Sequence, residues 1–251
     1  MKNVIVILGP TAVGKSALGI SLAKSINGEI ISADATQIYK GLNIGSAKTT
    51  EKEMQGVPHH LLSFLEFNQP FNAFMFVDKA TKIIDDIISR GKTPIIVGGT
   101  NLYVTALVKN FDFAKSGKND IPYQSKYNLN YKLFALNYTD RQMLYEKINL
   151  RVDLMLKNGF LEEVKNLKLK GLTTEMQAGK GIGYQELLLH LNNEISYDYA
   201  VEKIKQHSRN FAKRQLTWLR SMENLVWLDV SKNLEENLNL IKNKLNYFKN
   251  K

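Results

Sequence analysis

Residues 9–16 read Gly9-Pro10-Thr11-Ala12-Val13-Gly14-Lys15-Ser16, and they follow directly on the apolar run Val4-Ile5-Val6-Ile7-Leu8. A G-x-x-x-x-G-K-S segment set between a strand and a helix leaves few architectures open. Its glycines let the backbone curl until consecutive N–H groups point at one anion, Lys15 adds a mobile positive charge, and the Ser16 hydroxyl can ligate Mg²⁺. The helix expected from Lys15, through Ala17 to Ala23, aims its positive N-terminal end at the same point. All eight residues are therefore read as a polyphosphate site. Which phosphate it holds, and whether a phosphoryl group is transferred, stays open at this level.

The rest of the pattern places that loop in an α/β fold. Short β-branched runs alternate with helical periodicity, which predicts a P-loop NTPase-like parallel sheet with helices on both faces. Candidate strands are Val4–Leu8, Glu29–Ser32, Pro94–Val97, Tyr131–Leu136 and Leu225–Leu228. A helix carrying Phe74, Val77, Ile84, Ile87 and Ile88 is expected to stop at Gly91, and another, capped by Thr139 or Asp140, to run to Lys157 and stop at Gly159. Phe71, Phe74 and Phe76 suggest a stacking platform, but core packing is the expectation for most of them. Residues 110–130 are polar and turn-rich and read as an exposed connection. Residues 196–220 form one long helix, apolar at Val201, Ile204, Phe211 and Trp218 and basic elsewhere; Leu234, Leu238, Ile241 and Leu245 mark a closing amphipathic helix. One domain spanning 1–251 is expected, with no repeats.

Composition limits the setting. The 251 residues, 44% hydrophobic, suffice for one substantial core, and the lack of cysteine removes disulfide frameworks and thiolate metal sites. The loop starts too near the first residue to leave room for a secretory leader, and no apolar run is long enough to span a bilayer, so a cytoplasmic chain without membrane contact is the expectation. A net charge of +10 suits a polyanionic partner such as nucleic acid, but it suits a Lys- and Asn-rich proteome equally well.

Open parallel sheets present their chemistry at the carboxyl ends of their strands. The second candidate strand ends Ser32-Ala33-Asp34-Ala35-Thr36-Gln37, and the third ends Gly98-Gly99-Thr100-Asn101. A phosphate-loop hydrolase would carry an Asp at such a strand tip to organise Mg²⁺ and water. Gly-Gly-Thr stands there instead, which argues against ordinary ATP hydrolysis and leaves Asp34 as the best-placed acid or base. The duller role for Asp34 is to cap a turn. Adjacent histidines at 59 and 60 point to opposite sides of an extended segment and make a poor chelate. Gly179-Lys180-Gly181-Ile182-Gly183-Tyr184 suggests a second phosphate site, but a helix-opening loop is the expectation.

Five segments in order carry a resemblance: the phosphate loop; Ser32-Ala33-Asp34 leading to Gln37-Ile38-Tyr39-Lys40-Gly41 and on to Lys48; Val57-Pro58-His59-His60-Leu61; Val97-Gly98-Gly99-Thr100-Asn101-Leu102-Tyr103; and Ala212-Lys213-Arg214-Gln215-Leu216-Thr217-Trp218-Leu219-Arg220. Together they resemble the tRNA dimethylallyltransferases over most of the chain. The resemblance implies that the loop, with Arg151, grips the diphosphate of dimethylallyl diphosphate with Mg²⁺ on Ser16. It implies transfer of the prenyl group to the exocyclic amine of the adenosine following the anticodon, with Asp34 as general base and with Lys15 and Thr100 in the catalytic set. Ala35, Thr36 and Gln37 would meet the flipped base and its neighbours, and Lys213 and Arg214, on the helix that also carries Trp218, the RNA backbone. A monomer is expected. Family members normally carry a multi-helix insertion before the helix bearing Arg151, and 110–130 is too short to hold it. Ala35 also stands where a serine is usual, and Ser46 and Thr49 replace a common threonine and proline. Two other enzymatic readings remain: prenyl transfer to free adenine nucleotides, and a small-molecule kinase. A non-catalytic RNA-binding protein is disfavoured by retention of Lys15, Ser16, Asp34 and Arg151.

Overall fold

The structure, a computed structural model, describes residues 1–111, 113 and 121–249. Elements follow in the order β1 (Lys2–Leu8), α1 (Lys15–Ile26), β2 (Gly28–Ala33), α2 (Glu51–Met54), β3 (His59–His60), α3 (Ala73–Ser89), β4 (Thr93–Gly98) and α4 (Asn101–Val108). Then come β5 (Leu129–Asn137), α5 (Arg141–Lys157), α6 (Phe160–Leu169), α7 (Tyr184–Leu191), α8 (Tyr197–Arg220), β6 (Leu225–Asp229) and α9 (Leu234–Lys249). The six strands make one sheet in the order β3-β2-β4-β1-β5-β6, and every pairing is parallel. All six residues of β2 and residues Val4 to Leu8 of β1 are buried, so helices must cover both faces of the centre.

The five expected strands are present within two residues at each end, and β3 adds a two-residue edge that pairs with Ile30 and Ile31. Local chemistry sets the helix starts. Asn72, Asp140 and Ser196 each accept a backbone N–H with the side chain, capping α3, α5 and α8. Gly159 does end the helix before it, and its φ of 97° lets it open α6 immediately. Phe71 and Phe76 are in the core and Phe74 packs against it, with Phe76 stacked on Tyr103 of α4 at 4.7 Å.

The chain leaves β1 for β2 on one side and later returns through β4 to β5 on the other, so the strand order reverses beside β1. Ligand crevices open at such reversals, outside the carboxyl ends of the strands. From α4 the chain reaches β5 within residues 109–128, part of which lies outside the described residues. The described end of this connection is fixed to α3. Asp85, 6% exposed, accepts from the Tyr123 hydroxyl, the Ser125 hydroxyl and the Lys126 N–H, and Asp78 accepts from the Tyr123 N–H. No helix among the described residues is long and apolar enough to cross a membrane.

Candidate active site

A cavity of about 760 Å³ opens at the carboxyl ends of β1, β2 and β4, and Thr11, Lys15, Ser16, Asp34, Thr100 and Arg151 all line it. Four separate stretches of sequence therefore deliver side chains to one space. Within the phosphate loop the residues divide their work. Gly14 at φ 85° and Ala12 at φ 68° turn the backbone inward. Gly9 instead serves packing, because a Cβ there would lie 2.6 Å from the Leu136 carbonyl of β5. Thr11, Ala12, Gly14, Lys15 and Ser16 face the cavity, whereas Gly9, Pro10 and Val13 lie behind it.

Two cations stand in this buried space. The Lys15 ammonium donates to the Pro10 carbonyl at 2.7 Å, and its pKa is lowered to about 7, by burial first and by Arg151 second, with Asp34 pulling the other way. Burial likewise lowers the Arg151 guanidinium, again opposed by Asp34, and Arg151 donates to the Thr11 hydroxyl at 3.2 Å. Two mutually repelling, desolvated cations beside inward N–H groups make a site whose electrostatic deficit an anion removes. From Arg151 the same face of α5 continues with Ile148, Val152 and Met155, which line an apolar wall with Phe160.

Asp34 turns out to hold a turn and face the cavity at once. One carboxylate oxygen, Oδ1, accepts from the Thr36 and Gln37 N–H groups at 2.9 and 3.2 Å. That Asx turn fixes the orientation of the carboxylate through one oxygen. Next to it, the Ala35 N–H donates to Thr100 Oγ1 at 3.0 Å, which ties the tip of β2 to the start of α4. Thr36 lines the cavity beside Gly181. Gln37 also lines it, but its Nε2 donates to the Ser46 and Ala47 carbonyls at 3.2 and 3.4 Å, so its amide shapes the neighbouring loop.

The roles of the groups that support that loop and its neighbours are not announced by sequence. Glu163 of α6 accepts from the N–H groups of Asn43, Ile44 and Gly45 at 3.0, 2.7 and 3.2 Å and from the Tyr184 hydroxyl at 2.7 Å. Burial, with Glu163 beside it, pushes the Tyr184 hydroxyl pKa up. Lys48 donates to the Tyr39 carbonyl, the Ser63 hydroxyl and Asn43 Oδ1 at 2.6, 2.7 and 3.1 Å, and burial lowers its pKa to about 8. Gln215 of α8 accepts from the Thr11 N–H at 3.0 Å and donates to the Gly99 carbonyl at 2.9 Å. Glu163 and Gln215 are distant clamps on backbone atoms, and Lys48 is a local one that joins a carbonyl to two side chains.

The basic helix proves to be of mixed use. Arg214 lines the cavity with its guanidinium 5.7 Å from the Phe211 ring centre, and Lys213 is exposed outside it. Arg209 is committed to Asn149 and Lys205 to Asp153, both on α5, so part of the charge fastens α8 to its neighbour. Trp218, expected on an RNA-facing helix, turns inward: its indole N–H donates to Thr105 of α4 at 2.9 Å. The histidines separate as their alternation requires. His59 lines the cavity and its Nδ1–H donates to the Val57 carbonyl at 2.8 Å, while His60 contacts Glu29 Oε2 at 2.8 Å on the other side. The 179–184 loop does open α7, and Lys180, Gly181 and Ile182 additionally form cavity wall.

A parallel sheet with a phosphate loop at its central strand, facing a carboxylate across a cleft, defines a P-loop NTPase-like α/β protein. The chain belongs to the IPP transferase family, whose profile matches residues 37–126 and 113–222. A tRNA dimethylallyltransferase of Staphylococcus carnosus is 38% identical over 286 aligned positions, which cover 90% of each chain. Among solved structures, a tRNA delta(2)-isopentenylpyrophosphate transferase of Staphylococcus epidermidis superposes with a TM-score of 0.89 at 36% identity, covering 98% of this chain and 100% of its own. A full-length tRNA isopentenylpyrophosphate transferase of Bacillus halodurans gives 0.88 at 34% identity, with 98% of each chain covered. A eukaryotic dimethylallyltransferase acting on tRNA gives 0.79 at 27% identity, covering 92% of this chain and 74% of that one.

Proposed function

We propose that this protein transfers a dimethylallyl group from dimethylallyl diphosphate to the exocyclic amine of an adenosine in tRNA, the one following the anticodon. The observation that carries the reading is that the phosphate loop, Arg151 and Asp34 open into a single cavity. The diphosphate sits against the loop N–H groups, Lys15 and Arg151, and the five-carbon tail lies along Ile148, Val152 and Met155 on the same face of α5. The adenosine enters past Thr36 and Thr100. As the amine nitrogen bonds to the allylic carbon, the carbon–oxygen bond to diphosphate breaks, and the amine proton passes to Asp34. Developing charge on the leaving diphosphate is met by groups already in place, which is where most of the rate enhancement arises.

Magnesium fits this site as a partner of the donor. The protein offers oxygen ligands, Ser16 Oγ with Asp34 nearby, and no cluster of three or more His, Cys, Asp or Glu among the described residues could hold an ion alone. Most ligands would come from the diphosphate and water, the coordination Mg²⁺ prefers, and the ion would supply charge neutralisation on the leaving group. The short connection at 110–130 stands in place of the family's helical insertion. Two facts support this: the alignment to the S. carnosus relative has more positions than this chain has residues, and the two profile segments overlap at 113–126. RNA is then held by the cleft and by Arg214 and Lys213. A monomer in the cytoplasm is part of this proposal.

Incubation with dimethylallyl diphosphate, Mg²⁺ and bulk tRNA, followed by nucleoside mass spectrometry, should yield prenyl-adenosine. AMP serves as the competing acceptor. Equal prenylation of AMP would move the acceptor to free nucleotides, and ATP turnover without prenyl transfer would replace the reading with a kinase.

A further inference from the structure

We infer that Gln215 is the positioning residue that fixes the donor half of the site against the acceptor half, an inference that rests on the transfer reaction proposed above. Gln215 is 2% exposed, and both ends of its amide are committed to backbone atoms of two different loops. One loop, at Thr11, holds the diphosphate; the other, at Gly99, leads into Thr100. Gly99 leaves the space open for this contact, since a Cβ there would overlap Gln215 Nε2. The connection continues at each end. Thr11 Oγ1 accepts from Arg151, and Thr100 Oγ1 accepts from the Ala35 N–H beside Asp34. The donor-gripping guanidinium and the general base thus stand at the two ends of one path of hydrogen bonds and short stretches of backbone, and a single amide is its middle link.

The chemistry of the two contacts selects the side chain. The Thr11 N–H needs an acceptor and the Gly99 carbonyl needs a donor, and at neutral pH a carboxamide supplies both, a carboxylate only the first and a thioether only a weak acceptor. In so buried a place, water does not readily substitute for a missing partner. Without the link the two loops drift apart, and a misplacement of about 1 Å between reacting groups costs on the order of 10²-fold in rate. Arg214, the neighbouring residue, lines the cavity, so RNA docking on α8 and the spacing of the loops share one helical turn.

The test uses Gln215→Met and Gln215→Glu beside the parent, with donor affinity, tRNA KM and kcat measured from pH 6 to 8. Gln215→Met should drop about 10²-fold in kcat at every pH, with donor affinity and tRNA KM within about threefold of the parent. Gln215→Glu should drop as much at pH 8, where its carboxylate opposes the Gly99 carbonyl. Its rate relative to the parent should climb as pH falls, because a buried carboxyl takes up a proton above the ordinary range and then accepts from Thr11 and donates to Gly99 as the amide does. A glutamine needed only for folding gives a ratio flat with pH. That flat ratio, or a Met variant with kcat within threefold of the parent, overturns the inference. Should neither variant fold, Gly99→Ala displaces the amide from the other side and leaves α8 untouched, and a folded Gly99→Ala enzyme with parental kcat overturns it equally. A parent protein that forms no prenyl-adenosine overturns the underlying reaction instead, and with it the role given to Gln215.

Discussion

Replacing Glu163 with alanine should loosen the acceptor side of the cleft while sparing the donor side. The side chain accepts four hydrogen bonds, three from consecutive N–H groups of the 43–45 loop and one from Tyr184. The Asn43 N–H is exposed and can be served by water, which leaves three partly buried donors without a partner. Hydrogen bonds to a charged group contribute about 1.5–3 kcal/mol each when sheltered, and partial exposure brings the figure to about 1 kcal/mol, so the expected destabilisation is about 3 kcal/mol. For a domain of this size about 1 kcal/mol moves Tm by about 2–4 °C, which puts the variant about 6–12 °C below the parent. The freed loop supplies the Ser46 and Ala47 carbonyls that hold Gln37, so tRNA KM should rise several-fold. Donor affinity should hold, because no hydrogen bond of Glu163 reaches the phosphate loop. Differential scanning calorimetry and steady-state kinetics with each substrate varied in turn measure all three. A Tm shift under about 2 °C, or donor affinity falling in step with acceptor affinity, would refute the reasoning.

Asp34→Asn keeps an oxygen to accept from Thr36 and Gln37 but cannot take the amine proton, so kcat should fall about 10²–10⁴-fold with donor affinity nearly unchanged; single-turnover assays with saturating donor measure it, and a variant within a few-fold of the parent removes Asp34 from that role. Lys15→Ala and Arg151→Ala should weaken donor binding itself, read by calorimetric titration with dimethylallyl diphosphate, because both cations face the loop cavity. The double variant Lys213→Ala, Arg214→Ala should bind tRNA more weakly and flatten the log–log salt dependence by about 0.7–0.9 for each phosphate that is no longer neutralised; an unchanged slope makes that face of α8 a solvated one. Buried Glu29 is held well below the usual carboxylate range by Arg90 above all, with Lys92 and His60 adding to it. A depressed carboxylate stabilises the fold above its unfolded pKa, near 4.5, and that stability drains away as pH falls below it. Glu29→Gln should therefore lower stability at pH 7 and flatten the acid limb of a Tm-against-pH curve.

The features legible in the sequence are those in which a local requirement fixes residue identity at fixed spacing. A backbone that must curl around phosphate needs its glycines, lysine and serine in order, and a buried strand needs an uninterrupted apolar run. Asp34 was legible because it stands at a strand tip, although the same position also made it an Asx turn, and the turn and cavity roles proved compatible. Glu163 was not legible, and Lys48 and Gln215 were legible only as members of the family segments, without the contacts they make. Their partners include main-chain N–H and carbonyl groups, and the longest links span more than a hundred residues. Main-chain atoms leave no mark in a sequence, so nothing at the far end announces the contact. Two-residue β3 is too short for an alternation to register. Trp218 was legible as a member of the apolar side of α8, while the hydrogen bond its amphipathic ring makes to Thr105 was not.

That indole also equips the molecule with an optical sensor. Tryptophan occurs only twice, at 218 and 227, and Trp227 lies on β6 with 42% of its surface open to solvent. Substituting Trp227 by phenylalanine leaves one emitting indole, lodged between the helix that carries Gln215 and Arg214 and the helix that begins after Thr100. Its emission wavelength and lifetime report the polarity and hydrogen bonding of that seam. Any motion of α8 against α4 as RNA seats or product leaves becomes visible in a stopped-flow trace, without a dye or a label.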